Sequence, residues 1–158
     1  MLSIRPADAS DVPVLNTLIH EFADFERLPV AATEASLLRD GFGESPKFRA
    51  VMAEWDGQPA GYALFFDYYS SFEGRPGLFL EDIYIRGQYR GKGIGKALLA
   101  RVASVASGQN CFGVRWQVLD WNTRAIEFYK DLGATFLDDW KTVSLEGNAL
   151  EIVARGAP

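Results

Sequence analysis

The chain has 158 residues, 48% hydrophobic and 23% charged, which is the size and balance of one globular domain and predicts a single domain over residues 1–158. Its net charge of −5, from 21 acidic and 16 basic residues, argues against a general nucleic-acid binder, which needs a basic face, and permits a cationic substrate. Uncharged apolar runs of roughly 18 residues and signal-peptide regions are absent, so we expect no membrane span and a cytoplasmic location. One cysteine, Cys111, and one histidine, His20, exclude an intrachain disulfide and a Cys/His zinc cluster, so no metal is expected.

The first half of the chain alternates between strand and helix patterns. A short strand over residues 2–5 precedes a helix that starts at Ser10-Asp11 and carries apolar residues at 3–4 spacing up to Phe25. A second helix begins at Thr33 and ends near residues 40–41. Two strands over residues 48–55 and 60–68 are joined by a hairpin at Asp56-Gly57, and a loop over 70–77 leads to a strand over 78–85.

The second half supplies the parallel part of the predicted sheet. A helix over residues 94–106, a strand over 114–119 and a helix over 122–132 follow in order, and a hairpin with strands 136–145 and 149–154 turns at 146–148. A strand–helix–strand unit forces parallel pairing between its strands. The fold class is therefore α/β (α+β), with a mixed central sheet of about seven strands and about four helices on its two faces.

Three glycines alternate within six residues directly before the helix at 94–106. Glycine lets backbone N–H groups approach an anion, and a helix N-terminus adds unpaired donors and partial positive charge. A Walker A loop fails because Ala97 follows Gly95-Lys96, and a Rossmann fingerprint fails from either starting glycine. The remaining pattern, Arg-x-x-Gly-x-Gly from Arg90, resembles the coenzyme-A loop of the GCN5-related N-acetyltransferases; the alternative is a glycine-rich turn that only caps the helix.

Two acidic residues, Glu81 and Asp82, interrupt an apolar strand. Carboxylates are costly to bury without partners, so they need a local bulge, a cleft or hydrogen bonds. Acylation of an amine would use such a group, because a substrate ammonium must lose a proton before it can attack a thioester. Partial burial would raise the pKa of such a carboxyl toward a useful range. A structural ion-paired couple is the alternative.

The last predicted helix could serve the leaving group of such a reaction. A departing thiolate benefits from a proton, and a tyrosine hydroxyl such as that of Tyr129 is a plausible donor. From position alone, however, the favoured interpretation of Tyr129 is a half-buried core residue, and Asn122 is most simply the cap of the helix.

Taken together, the chain resembles the diamine (spermidine/spermine) acetyltransferase family of the GCN5-related superfamily, and within it the thialysine acetyltransferase-like branch. The matching runs span positions 4 to about 140 and include Ile4-Arg5-Pro6, Asp40-Gly41-Phe42-Gly43-Glu44, Tyr62-Ala63, Leu80-Glu81-Asp82-Ile83-Tyr84, Tyr89-Arg90-Gly91, Gly93-Ile94-Gly95 and Leu119-Asp120-Trp121-Asn122. The resemblance implies the single-domain N-acetyltransferase fold of that superfamily, acetyl-CoA as cosubstrate and a homodimer.

The resemblance also implies roles for individual residues. Glu81 matches the base and amine-binding carboxylate, and Tyr129 matches the general acid. Coenzyme contacts are implied for Ile83, Tyr84 and Ile85 on the strand, for Arg90, Gly91, Lys92, Gly93, Ile94, Gly95 and Lys96 in the loop, and for Asn122, Thr123, Arg124 and Ala125 in the last helix. Substrate contacts are implied for Phe25, Glu26, Glu81, Asp82 and one of Asp138 and Asp139.

Departures from the family pattern surround the acceptor site. Polyamine-acetylating members carry tyrosine where this chain has Phe25, whereas the thialysine-like branch carries phenylalanine. The acidic segment at Asp138-Asp139 is about one residue shorter than the family pattern, so either aspartate could be the match. The Asp56-Gly57 hairpin is tighter than its counterpart in the animal enzymes.

These features predict direct acetyl transfer from acetyl-CoA to a primary amine of a small cationic molecule, such as a thialysine-like amino acid, a lysine analogue or a polyamine. No nucleic acid or membrane is expected as a partner. Three alternatives remain at this point. One is an N-acetyltransferase for an unrelated amine, one is a covalent acetyl-enzyme that uses Cys111 and His20, and one is a non-catalytic module that binds or senses coenzyme A.

Overall fold

A computed structural model describes residues 1–157. In this range the helices and strands are β1 (Leu2–Pro6), α1 (Val12–Glu26), α2 (Glu34–Phe42), β2 (Arg49–Trp55), β3 (Gln58–Ser70), β4 (Arg75–Ile85), α3 (Ile94–Gly108), β5 (Val114–Trp116), α4 (Thr123–Asp131) and α5 (Gly147–Ala154). The chain divides into two compact units, one over Met1–Gln117 and one that begins at Val118. The single domain over residues 1–158 stays a prediction.

The strands of the first unit form a mixed sheet, as predicted. Within residues 1–157 the sheet has five strands in the order β1-β2-β3-β4-β5. The first three pairs are antiparallel, and β4 and β5 are parallel. The helix α3 connects these two parallel strands, which is the crossover that parallel pairing requires.

The predicted count of about seven strands is wrong, because the expected C-terminal hairpin is absent from the described residues. Residues 136–146 form neither strand nor helix, and 147–154 are the helix α5. A short apolar run such as Ala149–Ala154 is compatible with either periodicity. At the C-terminal end of α5 an i,i+4 pair between Glu151 and the C-cap residue Arg155, 3.6 Å apart, favours the helix.

Two further predicted boundaries were wrong. The loop expected over residues 70–77 is shorter, because β4 already begins at Arg75, which pairs with Ser70 of β3. Conversely, β5 ends at Trp116 instead of residue 119. The hairpin at Asp56-Gly57 is confirmed, with both residues at positive φ (51° and 75°), the backbone of a tight two-residue turn.

The two faces of the sheet carry separate clusters of buried residues. One cluster lies beneath α3 and includes Leu78, Leu80 and Leu98. The other lies beneath α1 and includes Leu15, Leu18, Met52 and two tyrosines of β3 and β4. Because α1 and α3 each bury one apolar stripe, the predicted arrangement of helices on both faces is confirmed for the first unit. In the described part of the chain, no helix combines the length and the apolar character needed to cross a membrane.

Candidate active site

The strand β4 contains a bulge at Glu81. Leu80 pairs with Phe65 of β3 and Asp82 pairs with Leu64, so Glu81 has no cross-strand partner in this register. An unpaired extra residue is the defining feature of a β-bulge, and bulges re-aim the side chains around them. Of the three accommodations expected for the two acidic residues, a bulge, a cleft or hydrogen bonds, the bulge is therefore present.

The bulge reverses which face of the sheet each β4 side chain meets. Before it, Leu78 and Leu80 lie in the cluster beneath α3; after it, the odd-numbered Ile83 and Ile85 pack against that same cluster. Without the extra residue, Asp82 would point into the apolar cluster beneath α3, since side chains alternate along a strand. With it, Asp82 lies on the α1 side together with Tyr84.

Asp82 has a hydrogen-bond partner in this position. The hydroxyl of Tyr62, a fully buried residue of β3, donates to Oδ2 of Asp82 over 2.9 Å. Burial and the charges of Glu81 and Glu26 raise the pKa of Asp82, the Tyr62 hydrogen bond lowers it, and the net result is a pKa of about 6. Burial also raises the pKa of Glu26, at the C-terminal end of α1. The structure thus brings Glu26, Glu81 and Asp82 into one acidic group.

The edge of β4 that faces β5 is paired only over part of its length. Leu78 to Leu80 pair with Val114 to Trp116, and this is the whole extent of β5 in residues 1–157. Beyond Leu80, residues 81–85 have no β5 partner within that range. This is the segment, Ile83 to Ile85, whose backbone was predicted to contact the coenzyme.

The glycine loop leads from the end of β4 to α3. Gly91 and Gly93 both have φ of 79°, and Gly93 is the N-cap residue of α3. A Cβ at either position would meet nothing within 4 Å, so open space adjoins the backbone there. The first N–H groups of a helix lack partners inside the helix, and those of Ile94, Gly95 and Lys96 therefore suit an anion.

Two basic side chains of the loop, those of Arg90 and Lys92, lie against aromatic rings. The Arg90 guanidinium donates from Nε to the carbonyl oxygen of Ile85 (3.0 Å) and lies 4.5 Å from the ring centroid of Phe25. Lys92 Nζ lies 4.5 Å from the ring centroid of Trp55. The Arg90 contact joins a residue predicted for the coenzyme to Phe25, which was predicted for the substrate.

The predicted residues of the second unit have the following surroundings. Asn122 is confirmed as the N-cap of α4, because its Oδ1 accepts from the backbone N–H of Ala125 over 3.3 Å. Thr123 and Arg124 are exposed in the first turn, and Tyr129 is buried with its ring 5.4 Å from that of Phe128. Asp138 and Asp139 are exposed in a turn. Their catalytic and binding roles stay predictions.

The covalent alternative is not supported by the fold. Cys111 packs against the cluster beneath α3, whereas His20 is on α1, on the other face of the sheet, and its Nε2 lies 3.0 Å from the carbonyl oxygen of Ala32. A histidine base must reach its cysteine within hydrogen-bond distance. These two residues are separated by the sheet.

One residue of the candidate site was not predicted from the sequence. Tyr62 received no role, although it provides the hydrogen bond to Asp82. It is separated from Asp82 by 20 positions, and only the register of β3 against β4 brings the two side chains together. An open cleft of about 510 Å³ was also unforeseen; it is lined by Glu21, Asp24, Tyr84, Arg86, Gly87 and Gln88.

Comparison with known proteins gives a consistent result. The family model described as "Acetyltransferase (GNAT) family" matches residues 15–134. A thialysine N-epsilon-acetyltransferase from Bos taurus is 40% identical, with 96% of each chain covered. An L-ornithine N5-acetyltransferase from Arabidopsis thaliana is 33% identical, over 95% of this chain and 86% of the relative. Among solved structures, an integron cassette protein from V. cholerae superposes with a TM-score of 0.82 at 24% identity, over 98% of both chains.

Proposed function

The chain belongs to the acetyltransferase (GNAT) family and is an N-acetyltransferase, and we propose that it moves an acetyl group from acetyl-CoA directly to a primary amine of a small cationic molecule. A thialysine-like amino acid is the first candidate acceptor, because the bovine relative of that name is 40% identical over almost the whole chain. Ornithine-like amino acids and polyamines follow.

The observation that carries the proposal is the acidic group next to the open edge of β4. The charges of Glu26 and Glu81 both act on Asp82, and residues 81–85 lack a β5 partner in the described part of the chain. Carboxylates attract a substrate ammonium group, while free backbone groups of a strand edge suit an extended acyl chain. The two features together fit an amine and a thioester meeting at β4.

Acetyl-CoA is the cosubstrate of this family, and the loop fits its pyrophosphate. The positive φ of Gly91 and Gly93 and the open space beside them support close approach of an anion to the backbone. The residues that would hold it are Arg90, Gly91, Lys92, Gly93, Ile94, Gly95 and Lys96, with Ile83, Tyr84 and Ile85 along the acyl arm and Asn122, Thr123, Arg124 and Ala125 as a further contact.

The proposed reaction conserves atoms and charge in the following way. A carboxylate of β4, for which Glu81 is the predicted base, takes one proton from the ammonium group. The neutral nitrogen bonds to the acetyl carbon and the carbon–sulfur bond breaks. Tyr129, the predicted acid, gives its proton to the departing sulfur and recovers one from the acylated nitrogen. The products are an amide and the free thiol, and one proton passes from the carboxyl to water.

Two finer features belong to the same proposal. Phe25, Glu26 and one of Asp138 and Asp139 would contact the body of the acceptor. The homodimer is implied by the family resemblance and the cytoplasmic location by the sequence, and both stay predictions. Light scattering of the purified protein tests the first.

The test is thiol release from acetyl-CoA across a panel of amines. We expect thialysine, lysine or ornithine to stimulate release, with kcat/KM for 1,4-diaminobutane well above that for n-butylamine, a matched control of equal carbon number that lacks the second cationic group. Mass spectrometry of the amine identifies the acetylated nitrogen. If acetyl-CoA binds and no amine stimulates release, the proposal fails and a non-catalytic coenzyme-A module replaces it.

A further inference from the structure

The hydrogen bond between Tyr62 and Asp82 is a buried feature to which the predicted roles gave no function. Tyr62 is 0% exposed, and its hydroxyl donates to Asp82 Oδ2 over 2.9 Å. Burying a hydroxyl costs free energy unless it is hydrogen-bonded, and the Tyr62 hydroxyl meets this need by its bond to the Asp82 carboxyl. Burial and the Asp82 charge raise the pKa of Tyr62 well above its usual value, so the hydroxyl keeps its proton and remains a donor.

The same geometry leaves the rest of the Asp82 carboxyl available. Tyr62 pairs with Tyr84 across the two strands, so Asp82, two positions before Tyr84, is its diagonal neighbour on the α1 face. Among residues 1–157, no second hydrogen bond to the Asp82 side chain is present. One oxygen is therefore fixed by Tyr62, while Oδ1 can receive a proton.

The two adjacent acids of β4 differ in their surroundings. Glu81 is exposed on the bulge, whereas Asp82 is half-buried. The charged or titratable groups that act on Asp82 are Tyr62 on β3, Glu81 beside it on β4 and Glu26 on α1. Burial raises the pKa of Asp82 to about 6, so its carboxylate is ionised at neutral pH and binds a proton more readily than an ordinary aspartate.

We propose that Asp82 accepts the proton of the substrate ammonium group, that Tyr62 is the positioning residue that holds its carboxyl, and that Glu81 binds the cation without taking the proton. This rests on the proposed amine acetylation. The N–H bond of the ammonium breaks, its electron pair stays on nitrogen for attack, and the proton moves to Asp82 Oδ1 directly or through one water. It leaves to solvent after the acetyl group has been transferred.

The first experiment separates the two acids by steady-state kinetics. Asp82→Asn should lower kcat by ~10²-fold or more, whereas Glu81→Gln should mainly raise KM for the amine. Asp67→Asn and Glu73→Gln, exposed acids of β3 and the following turn, are the matched controls. An equal kcat loss in Glu81→Gln and Asp82→Asn, or a larger loss in Glu81→Gln, would overturn the assignment.

The second experiment uses the pH profile, which a purely structural role would not move. For the wild type, kcat/KM should rise with pH through about 6, because the base must be ionised. Tyr62→Phe removes a hydrogen bond to the ionised form and should move this limb up by about one pH unit. Glu26→Gln removes a neighbouring negative charge and should move it down. An unmoved limb in both variants, or movement in the same direction, contradicts the proposal.

A titration independent of turnover completes the test. The ¹³Cγ resonance of Asp82, assigned by its loss in Asp82→Asn, should titrate with a midpoint near 6 in the wild type and higher in Tyr62→Phe. If Tyr62→Phe does not fold, the wild type and Glu26→Gln decide the matter, and a wild-type midpoint below about 4.5, near ordinary aspartate, sinks the proposal.

An error in the proposed function and an error in the assignment of the proton acceptor give different experimental results. If wild-type protein acetylates no amine, the proposed function is wrong. If it does, but the Asp82 variant retains its kcat, only the assignment of the proton acceptor is wrong. Tyr69→Phe, which changes an exposed tyrosine of the same strand, is the control for removing a hydroxyl from β3.

Discussion

The two faces of the sheet in residues 1–117 are packed from different kinds of side chain. In the described residues, the buried members of the cluster beneath α3 are aliphatic side chains and one phenylalanine. The cluster beneath α1 includes Tyr62 and Tyr84, and the carboxyl of Asp82 reaches into it. An apolar face contributes stability through burial alone, whereas a buried carboxyl costs stability unless a partner compensates it. This difference supports the proposal that the chemistry takes place on the α1 side, while α3 stabilises the sheet.

The bulge at Glu81 is what makes the two faces different. It reverses the alternation of β4, so that the apolar residues on both sides of it remain beneath α3 while Asp82 is on the α1 side. A strand with strict alternation would place that carboxyl among leucines. One extra residue therefore keeps the face beneath α3 apolar and places the carboxyl of Asp82 on the α1 face.

The largest effect on folding should come from the α3 side. Leu98 is fully buried there, and Leu98→Ala removes apolar contacts and leaves a cavity, which should lower the free energy of unfolding by about 2–5 kcal/mol. Urea denaturation measures this. The kcat per folded molecule should stay within about twofold of the wild type, and a large loss of kcat in the folded fraction would break the distinction between the faces.

A smaller, pH-dependent effect is expected where β1 meets the start of α1. Both Nη atoms of Arg5 donate to Asp11 over 2.7 Å, and this pairing holds the pKa of Asp11 below its usual value. A lowered pKa stabilises the fold above the unfolded-state pKa, and that stabilisation is lost as pH falls through the folded-state pKa.

Asp11→Asn should therefore cost about 1 kcal/mol at neutral pH, a reduced figure because the Arg5 side chain is 37% exposed. The difference between variant and wild type should shrink below about pH 4. Urea denaturation at pH 7 and at pH 3.5 checks the sign, and a difference that grows on acidification would contradict it.

An effect of similar size is expected in the loop before α3. Gly93 has φ of 79° with nothing near a Cβ, so Gly93→Ala strains the backbone without a clash and should cost about 1 kcal/mol. Gly108→Ala, at the helical end of α3 with equally open surroundings and no positive φ, is the control and should cost nothing. Calorimetry should also show weaker acetyl-CoA binding for Gly93→Ala alone. If the two variants have equal stability and bind acetyl-CoA equally well, the positive φ of Gly93 does not have the importance given to it.

Local signals in the sequence predicted most of the first unit. The Asp56-Gly57 hairpin follows from two residues that tolerate positive φ, and α1 follows from apolar spacing after Asp11. The register of β3 against β4 could not be predicted, because it depends on pairing between distant residues. For that reason a bulge was only one of three accommodations expected for the acidic pair, and neither its position at Glu81 nor the hydrogen bond from Tyr62 to Asp82 was predicted.

The secondary structure predicted for the C-terminal segment was wrong for a different reason. The spacing of the apolar residues in this segment fits a strand and a short helix about equally well, and no strong turn or cap residue decides between the two. These residues are Ala149, Leu150, Ile152 and Val153. The predicted site residues there, Tyr129 and Asp138 or Asp139, depend on the family resemblance. Their roles are tested by substitution rather than by pattern.

The most direct test of the central claim measures free thiol released from acetyl-CoA in the presence of a cationic amine, for the wild type and the Glu81→Gln/Asp82→Asn double variant. The claim that the Glu81 and Asp82 carboxyls of β4 activate the amine predicts amine-dependent release by the wild type. It also predicts a double variant that binds acetyl-CoA normally by calorimetry and releases thiol at least ~10²-fold more slowly. A double variant with wild-type kcat would contradict it.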